Sequence, residues 1–266
     1  MAAPMHPEAE HAAGVLAGLL ERHLHGRVAA LHLVGSAADG DFQPGRSDLD
    51  FVAVLHEAMT DAEYEALGIV HRLYGSDPTL PSLGGIWVTE GDLAAGPDAA
   101  PDGPTSHDGL LIGVARGNRN PIIWAQLRDI AVTVFGQLNR DALWHDPARL
   151  ASWTRENVEA YWAPWVERAA KLWTPPGLAM LGRSAPMWGV LGISRLHETL
   201  STGQIASKSA AGVYAKSAFD PRWHRILDEC LTIRRGSGSS RYANPFARRS
   251  DALAYVRMVI AAIRAG

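Results

Sequence analysis

Residues 28–55, VAALHLVGSAADGDFQPGRSDLDFVAVL, narrow the folds open to this chain more than any other stretch. Leu31, Leu33 and Val34 run into a Gly35-Ser36 turn, and a polar loop follows. Ser47-Asp48-Leu49-Asp50 then opens a second apolar run, Phe51 to Leu55. Both runs have strand length and strand-type residues, with turn formers between them. Side chains alternate along a strand, so Asp48 and Asp50 share a face, about 7 Å apart along it. Two carboxylates held so on a mostly buried strand repel and raise each other's pKa. A divalent cation removes that penalty, and hard Mg2+ prefers carboxylate and phosphate oxygens. The Gly35-Ser36 turn can offer backbone N–H groups and a hydroxyl to phosphate oxygens. A lone D-x-D can also end a turn or cap a helix. The Gly-Ser turn upstream, with apolar strands on both outer sides, favours a metal–nucleotide site instead.

The whole chain sets the bounds around that site. With 266 residues, 47% of them hydrophobic, it can bury one large core or two modest ones. The single cysteine, Cys230, excludes an internal disulfide and a multi-cysteine zinc site, as expected in a reducing cytoplasm. The start, MAAPMHPEAEHAAG, lacks the basic residues and apolar core of an export signal, and no apolar run approaches the ~20 residues that span a bilayer. A soluble, cytoplasmic protein with no membrane contact is expected. Net charge is −3, unevenly spread: residues 1–150 hold 20 Asp/Glu against 9 Lys/Arg, and residues 151–266 hold 8 against 16. An acidic half holding Mg2+ and a basic half holding a triphosphate would explain this, as would simple attraction between the halves.

In chain order, residues 7–25 read as a helix with Val15, Leu16, Leu19, Leu20 and Leu24 on its apolar face. His23 and His25 there do not share a helical face and make a poor metal pair. A capped helix is expected from Asp61 to Tyr74, then a turn over 77–81 and a third strand from Gly84 to Thr89. Residues 91–109, rich in Gly, Pro, Ala and Asp, read as a loop. A short strand near 110–114, a helix opened by Pro121 and a last strand over 131–135 complete a mixed α/β region. From Pro147 the pattern turns helical: 147–173, a break at 174–177, then 187–200, 208–217, 223–234 and 245–264, with a flexible loop at 235–241. The nine tryptophans suit core packing better than ligand stacking. The fold class is therefore α+β, with domains at 1–146 and 147–266.

The Gly-Ser turn followed by D-x-D resembles the nucleotidyltransferase superfamily that includes DNA polymerase β. A second stretch, Arg195-Leu196 followed by Thr202-Gly203-x-Ile205-x-Ser207-Lys208 and Ala210-Ala211, is closer still. It resembles the aminoglycoside adenylyltransferases that act on streptomycin and spectinomycin, as does the segment from Leu127-Arg128 to Gly136. The resemblance implies Mg-dependent transfer of AMP from ATP to a hydroxyl of a small molecule, with release of pyrophosphate, and so antibiotic resistance. It implies that Asp48 and Asp50 hold Mg2+ and carry catalysis, while Gly35, Ser36 and Ser47 bind the nucleotide phosphates. Arg195 and Lys208 would reach the triphosphate, Arg234 would take the place of a nucleotide-contacting aromatic, and Trp173 and Trp188 would bind the acceptor. Lys208 also fits on physical grounds, since a cation at a helix start is better placed with an anion nearby. Arg195 could instead pair with Glu198 or Glu229.

Two departures bear on the chemistry. The resemblance puts a catalytic glutamate on the third strand, where this chain has Gly84; Glu90, Asp92 and Glu198 are the acids that could stand in. The segment 177–188, where relatives hold a cationic drug with acids, contains no acid and does contain Arg183. No P-loop, kinase or zincin motif is present. The alternatives are the same transfer to a non-aminoglycoside acceptor, or a catalytically silent nucleotide-binding homologue. Terminal transfer to nucleic acid by the basic half is a weaker rival. A monomer is expected.

Overall fold

The computed structural model describes residues 5–266; residues 1–4, the start of the segment compared above with an export signal, lie outside them. Chain contacts divide the protein into two compact units, Met1–Asp146 and Pro147–Gly266. The first is a six-stranded mixed sheet flanked by helices and the second is helical, an α+β architecture.

In the first unit, helix α1 (Pro7–Leu24) precedes strand β1 (Val28–Leu33), the single-turn helix α2 (Gly35–Ala38) and strand β2 (Leu49–Leu55). Helix α3 (Asp61–Gly75) follows, started by a capping box in which the Thr60 side chain accepts from the Glu63 N–H and Glu63 returns the bond. Then come β3 (Leu83–Thr89), α4 (Glu90–Ala95), β4 (Gly103–His107), β5 (Leu110–Ala115), α5 (Pro121–Asp129) and β6 (Val132–Phe135). The strand order is β5-β4-β3-β2-β1-β6, antiparallel throughout except for the parallel pair β2–β3.

Alternation divides the central strands between two cores. Leu31, Leu33, Phe51 and Trp87 bury themselves against α1 and α3. Val52, Val54, Ile86 and Val88 pack with Trp124 and Leu127 of α5 on the other face, the face that Asp50 shares by its spacing. Each fully buried side chain of this size contributes roughly 1.5–3 kcal/mol.

The loop expected over 91–109 is a correction: it contains α4 and β4. A T-x-x-D capping box starts α4, with the Thr89 N–H donating to Asp92 at 2.8 Å and the Asp92 N–H to the Thr89 hydroxyl at 3.1 Å. Strand β4, GPTSH, has little intrinsic strand preference and forms because β3 and β5 flank it. Buried Arg119 fixes it from below, donating to the Thr105 hydroxyl at 3.0 Å and the Trp87 carbonyl at 2.8 Å.

The second unit runs α6 (Pro147–Asn157), a π-helical turn (Val158–Trp162), α7 (Ala163–Ala170), α8 (Pro175–Ala179), α9 (Ser184–Thr202), α10 (Lys208–Ala218), α11 (His224–Arg235) and α12 (Pro245–Ala265). The break expected at 174–177 is instead the start of α8, capped by the Thr174 hydroxyl accepting from the Gly177 N–H. Helix α9 is the hub, packed by α10, α11 and α12. Within this core Glu229 is fully buried and meets Arg248 at 3.3 Å. Burial works against its charge, but the Arg241 N–H, the Ser240 hydroxyl and Arg248 outweigh that and hold its pKa below the ordinary value.

Candidate active site

The D-x-D motif and the Gly-Ser motif meet at one corner of the sheet. Asp48 is exposed immediately before β2, and half-buried Asp50 lies within it. The Val34 N–H donates to the Asp50 carbonyl at 3.0 Å, so the end of β1 delivers Gly35 directly beside Asp50. Gly35 has φ +60°, and a Cβ on it would lie 2.4 Å from Asp50 Oδ2. A side chain is therefore excluded twice, by backbone conformation and by the carboxylate. Ser36, half-buried, stands next in α2.

On the neighbouring strand, Gly84 pairs directly with Asp50. A Cβ there would lie 2.9 Å from Asp50 Oδ1. Both carboxylate oxygens of Asp50 thus face positions kept free of side chains. A carboxylate pair seated against backbone in this way suits a hard cation which completes its shell with phosphate oxygens and water. Among the described residues no group of three or more His, Cys, Asp or Glu could hold a metal by itself. Asp48 and Asp50 would supply the protein ligands.

Ser47 is held by its own loop. It is buried, and its hydroxyl accepts the Gln43 N–H at 3.0 Å while its own N–H donates to the Gln43 carbonyl, closing the loop before the aspartates. Glu90 and Asp92 fall away as substitutes for the missing glutamate. They follow Thr89 at the opposite end of β3 from Gly84, about 16 Å along the strand, and Asp92 is committed to its cap.

In the helical unit, Arg195 Nε donates to the Ala206 carbonyl at 2.9 Å, tying α9 to the turn that leads into Lys208. Lys208 opens α10, where the Ser207 hydroxyl accepts the Ala210 N–H. Of the two expected ion-pair partners of Arg195, Glu229 is engaged with Arg248 instead. Glu198 stays close: burial raises its pKa and the Arg195 charge lowers it, with burial prevailing, and its Oε2 is buried without a hydrogen-bond partner. Arg234 is buried in the last turn of α11. Trp188 stacks on Trp162 at 4.7 Å and 20°, whereas Trp173 is 85% exposed.

Sequence reasoning missed the cavity beside Asp48, whose wall includes Glu8, Thr79 and Ser82. Nothing in the sequence marks those residues, which lie far from Asp48 along the chain.

Comparison with known proteins agrees with the order of the two kinds of fold along the chain. Residues 15–73 match the nucleotidyltransferase domain model, and residues 177–259 match the model of the aminoglycoside adenylyltransferase C-terminal domain. No curated protein sequence matches the chain. Among solved structures, the spectinomycin adenyltransferase AAD(9) from Enterococcus faecialis, crystallised with ATP and spectinomycin, superposes with a TM-score of 0.65. The superposition covers 93% of this chain and 98% of that one at 14% sequence identity, a likeness of fold. The protein is a nucleotidyltransferase. Its two domains, in this order, make it a member of the aminoglycoside adenylyltransferase family. Among the described residues no helix is long and apolar enough to cross a membrane.

Proposed function

We propose that the protein transfers AMP from ATP to a hydroxyl of a small, aminoglycoside-like acceptor in an Mg-dependent reaction. The observation that carries this reading is the Asp50 carboxylate, seated against Gly35 on one side and Gly84 on the other, with Asp48 two residues before it, just ahead of β2. The acceptor oxygen attacks the α-phosphorus, the bond to the pyrophosphate oxygen breaks, and the acceptor proton leaves to a base. Mg2+ held by Asp48 and Asp50 would supply charge stabilisation for the attacking and leaving oxygens. The chain's own part is to orient the α-phosphate with the Gly35 and Ser36 amides and the Ser36 hydroxyl. Ser47 binds the nucleotide phosphates as well, and Arg195, Lys208 and Arg234 act on the nucleotide. Trp188 and Trp173 contact the acceptor. Residues 1–146 serve as the nucleotidyltransferase domain and residues 147–266 as the helical domain. In this reading the protein works as a cytoplasmic monomer, and modification of an antibiotic would confer resistance.

A second reading rests on Gly84: with no carboxylate beside Asp50 on β3, the protein binds nucleotide and does not turn over. One experiment separates the two. Pyrophosphate release is followed with ATP, Mg2+ and a panel of streptomycin, spectinomycin, other aminoglycosides and non-aminoglycoside polyols. Release that depends on one acceptor supports transfer. Tight ATP binding with no release against any acceptor supports the silent homologue.

A further inference from the structure

We infer that the cavity beside Asp48 is the acceptor's docking site on the nucleotidyltransferase unit, and that Glu8 binds an ammonium group of the acceptor there. The inference rests on the transfer reaction proposed above and names the substrate chemistry of that same site. The cavity measures about 270 Å³ and is walled by Glu8, Arg46, Ser47, Asp48, Thr79 and Ser82. That is room for a single substituted ring, with a polar lining that suits hydroxyls and amines better than an apolar body.

Strand register makes this wall. The Leu49 N–H donates to the Ser82 carbonyl at 2.8 Å, which sets Asp48 and Ser82 side by side where β2 and β3 begin. Gly84, two residues further along β3, stands against Asp50. The cavity therefore takes in Asp48 and the residues just ahead of β3, while Asp50 and Gly84 lie outside its wall. Thr79 is fixed by its own turn: Asp77 accepts its N–H at 2.9 Å and its hydroxyl at 2.6 Å, so its oxygen is left as an acceptor. Pro78 and Pro81 stiffen the same turn.

Glu8 comes from elsewhere, the first turn of α1, whose start is capped by His6 Nδ1 accepting the Glu8 N–H. Its carboxylate makes no hydrogen bond or ion pair with any described residue. With Asp48 engaged by a metal, Glu8 is the carboxylate of this wall left to meet a ligand. A metal-bound phosphate beside it disfavours an anionic acceptor, and a carboxylate with no partner favours a cationic one. The helical unit supplies no acid over residues 177–188, so an amine-bearing acceptor needs its counter-charge from another element. Glu8 provides it.

The test is calorimetric titration of spectinomycin, a hydroxyl-rich and amine-bearing ring system, into the full-length protein with Mg2+ and a non-hydrolysable ATP analogue. Wild type, Glu8→Gln, Thr79→Val and the control Glu10→Gln are compared, and analogue affinity is measured on the same samples. Glu8→Gln should weaken spectinomycin binding about tenfold or more, Thr79→Val by less, and Glu10→Gln not at all, with analogue affinity constant in all four. Wild-type spectinomycin affinity in Glu8→Gln overturns the assignment. So does a wild type that binds the analogue but no spectinomycin, which leaves the nucleotide reading standing. A wild type that fails to bind the analogue overturns both.

Discussion

Two places in this molecule depend on glycines that let another group approach, and they use the space differently. At the sheet corner, Gly35 and Gly84 clear both oxygens of the Asp50 carboxylate. In the helical unit, Gly189 and Gly192 of α9 clear space for two indole rings: a Cβ would lie 2.5 Å from Trp165 and 2.3 Å from Trp162. The rings occupy the second gap, Trp162 stacked on Trp188 and Trp165 tilted against it, so α9 gains packing in return for two helix-weakening residues. At the first gap the Asp50 carboxylate itself lies against both glycines, and it is charged. An apolar ring seated against glycines stabilises the fold, whereas a half-buried carboxylate seated there costs stability and makes sense with a ligand.

The largest expected effect breaks the first gap. Gly35→Ala forces a left-handed backbone on alanine, about 1–2 kcal/mol, and drives a methyl into the carboxylate, about 1–3 kcal/mol more. Chemical denaturation should show a loss of roughly 2–5 kcal/mol, with nucleotide binding lost even at temperatures where the variant stays folded.

Next is a contrast in pH response between the units. His32 is fully buried on β1, and burial, helped by the Arg140 charge, lowers its pKa from 6.5 to about 4. The unfolded chain therefore takes up a proton that the folded one refuses. Stability is whole above pH 6.5 and falls as pH drops toward 4, by up to about 3 kcal/mol. His32→Gln should flatten that slope in urea melts taken between pH 7 and 4.5. Glu229 in the helical unit has a lowered pKa, so its contribution is present above the ordinary glutamate value and is lost only as pH falls below it. A slope unchanged by His32→Gln would show that another group sets the acid sensitivity.

The smallest effect sharpens the comparison. Gly192→Ala adds helix propensity but overpacks Trp162, for a net cost of about 1–3 kcal/mol. Melting should detect it, and Mg-ATP affinity should hold within a factor of a few. A large loss of nucleotide binding here would mean that the indole stack serves the site and not only the core.

How much of this was legible depended on which interactions decide each element. Strands β1 and β2 and their acids were readable because alternation and turn residues act locally. Pro121 and Thr60 likewise marked true helix starts. Strand β4 was not readable, since GPTSH becomes a strand only between its neighbours and above Arg119. Helix α4 was hidden because Gly91 and the prolines beyond it masked the Thr89–Asp92 box. In the site, Asp48 and Asp50 could be found by spacing. The facing of Gly84 onto Asp50 needed the parallel register of β2 and β3, and Glu8 needed the packing of α1. Glycines inside α9 read from sequence only as a cost, because their benefit lies in rings two helices away in the chain.

The central claim is that the corner of Asp48, Asp50 and Gly35 holds a metal-bound nucleotide. It is tested most directly by calorimetric titration of a non-hydrolysable ATP analogue into wild type and Asp48→Ala/Asp50→Ala, each with Mg2+ and with EDTA. The account predicts that wild type binds with Mg2+, that EDTA weakens binding by several kcal/mol, and that the folded double variant binds weakly and equally in both buffers. Wild-type binding indifferent to EDTA, or a double variant that keeps Mg-dependent affinity, would contradict it.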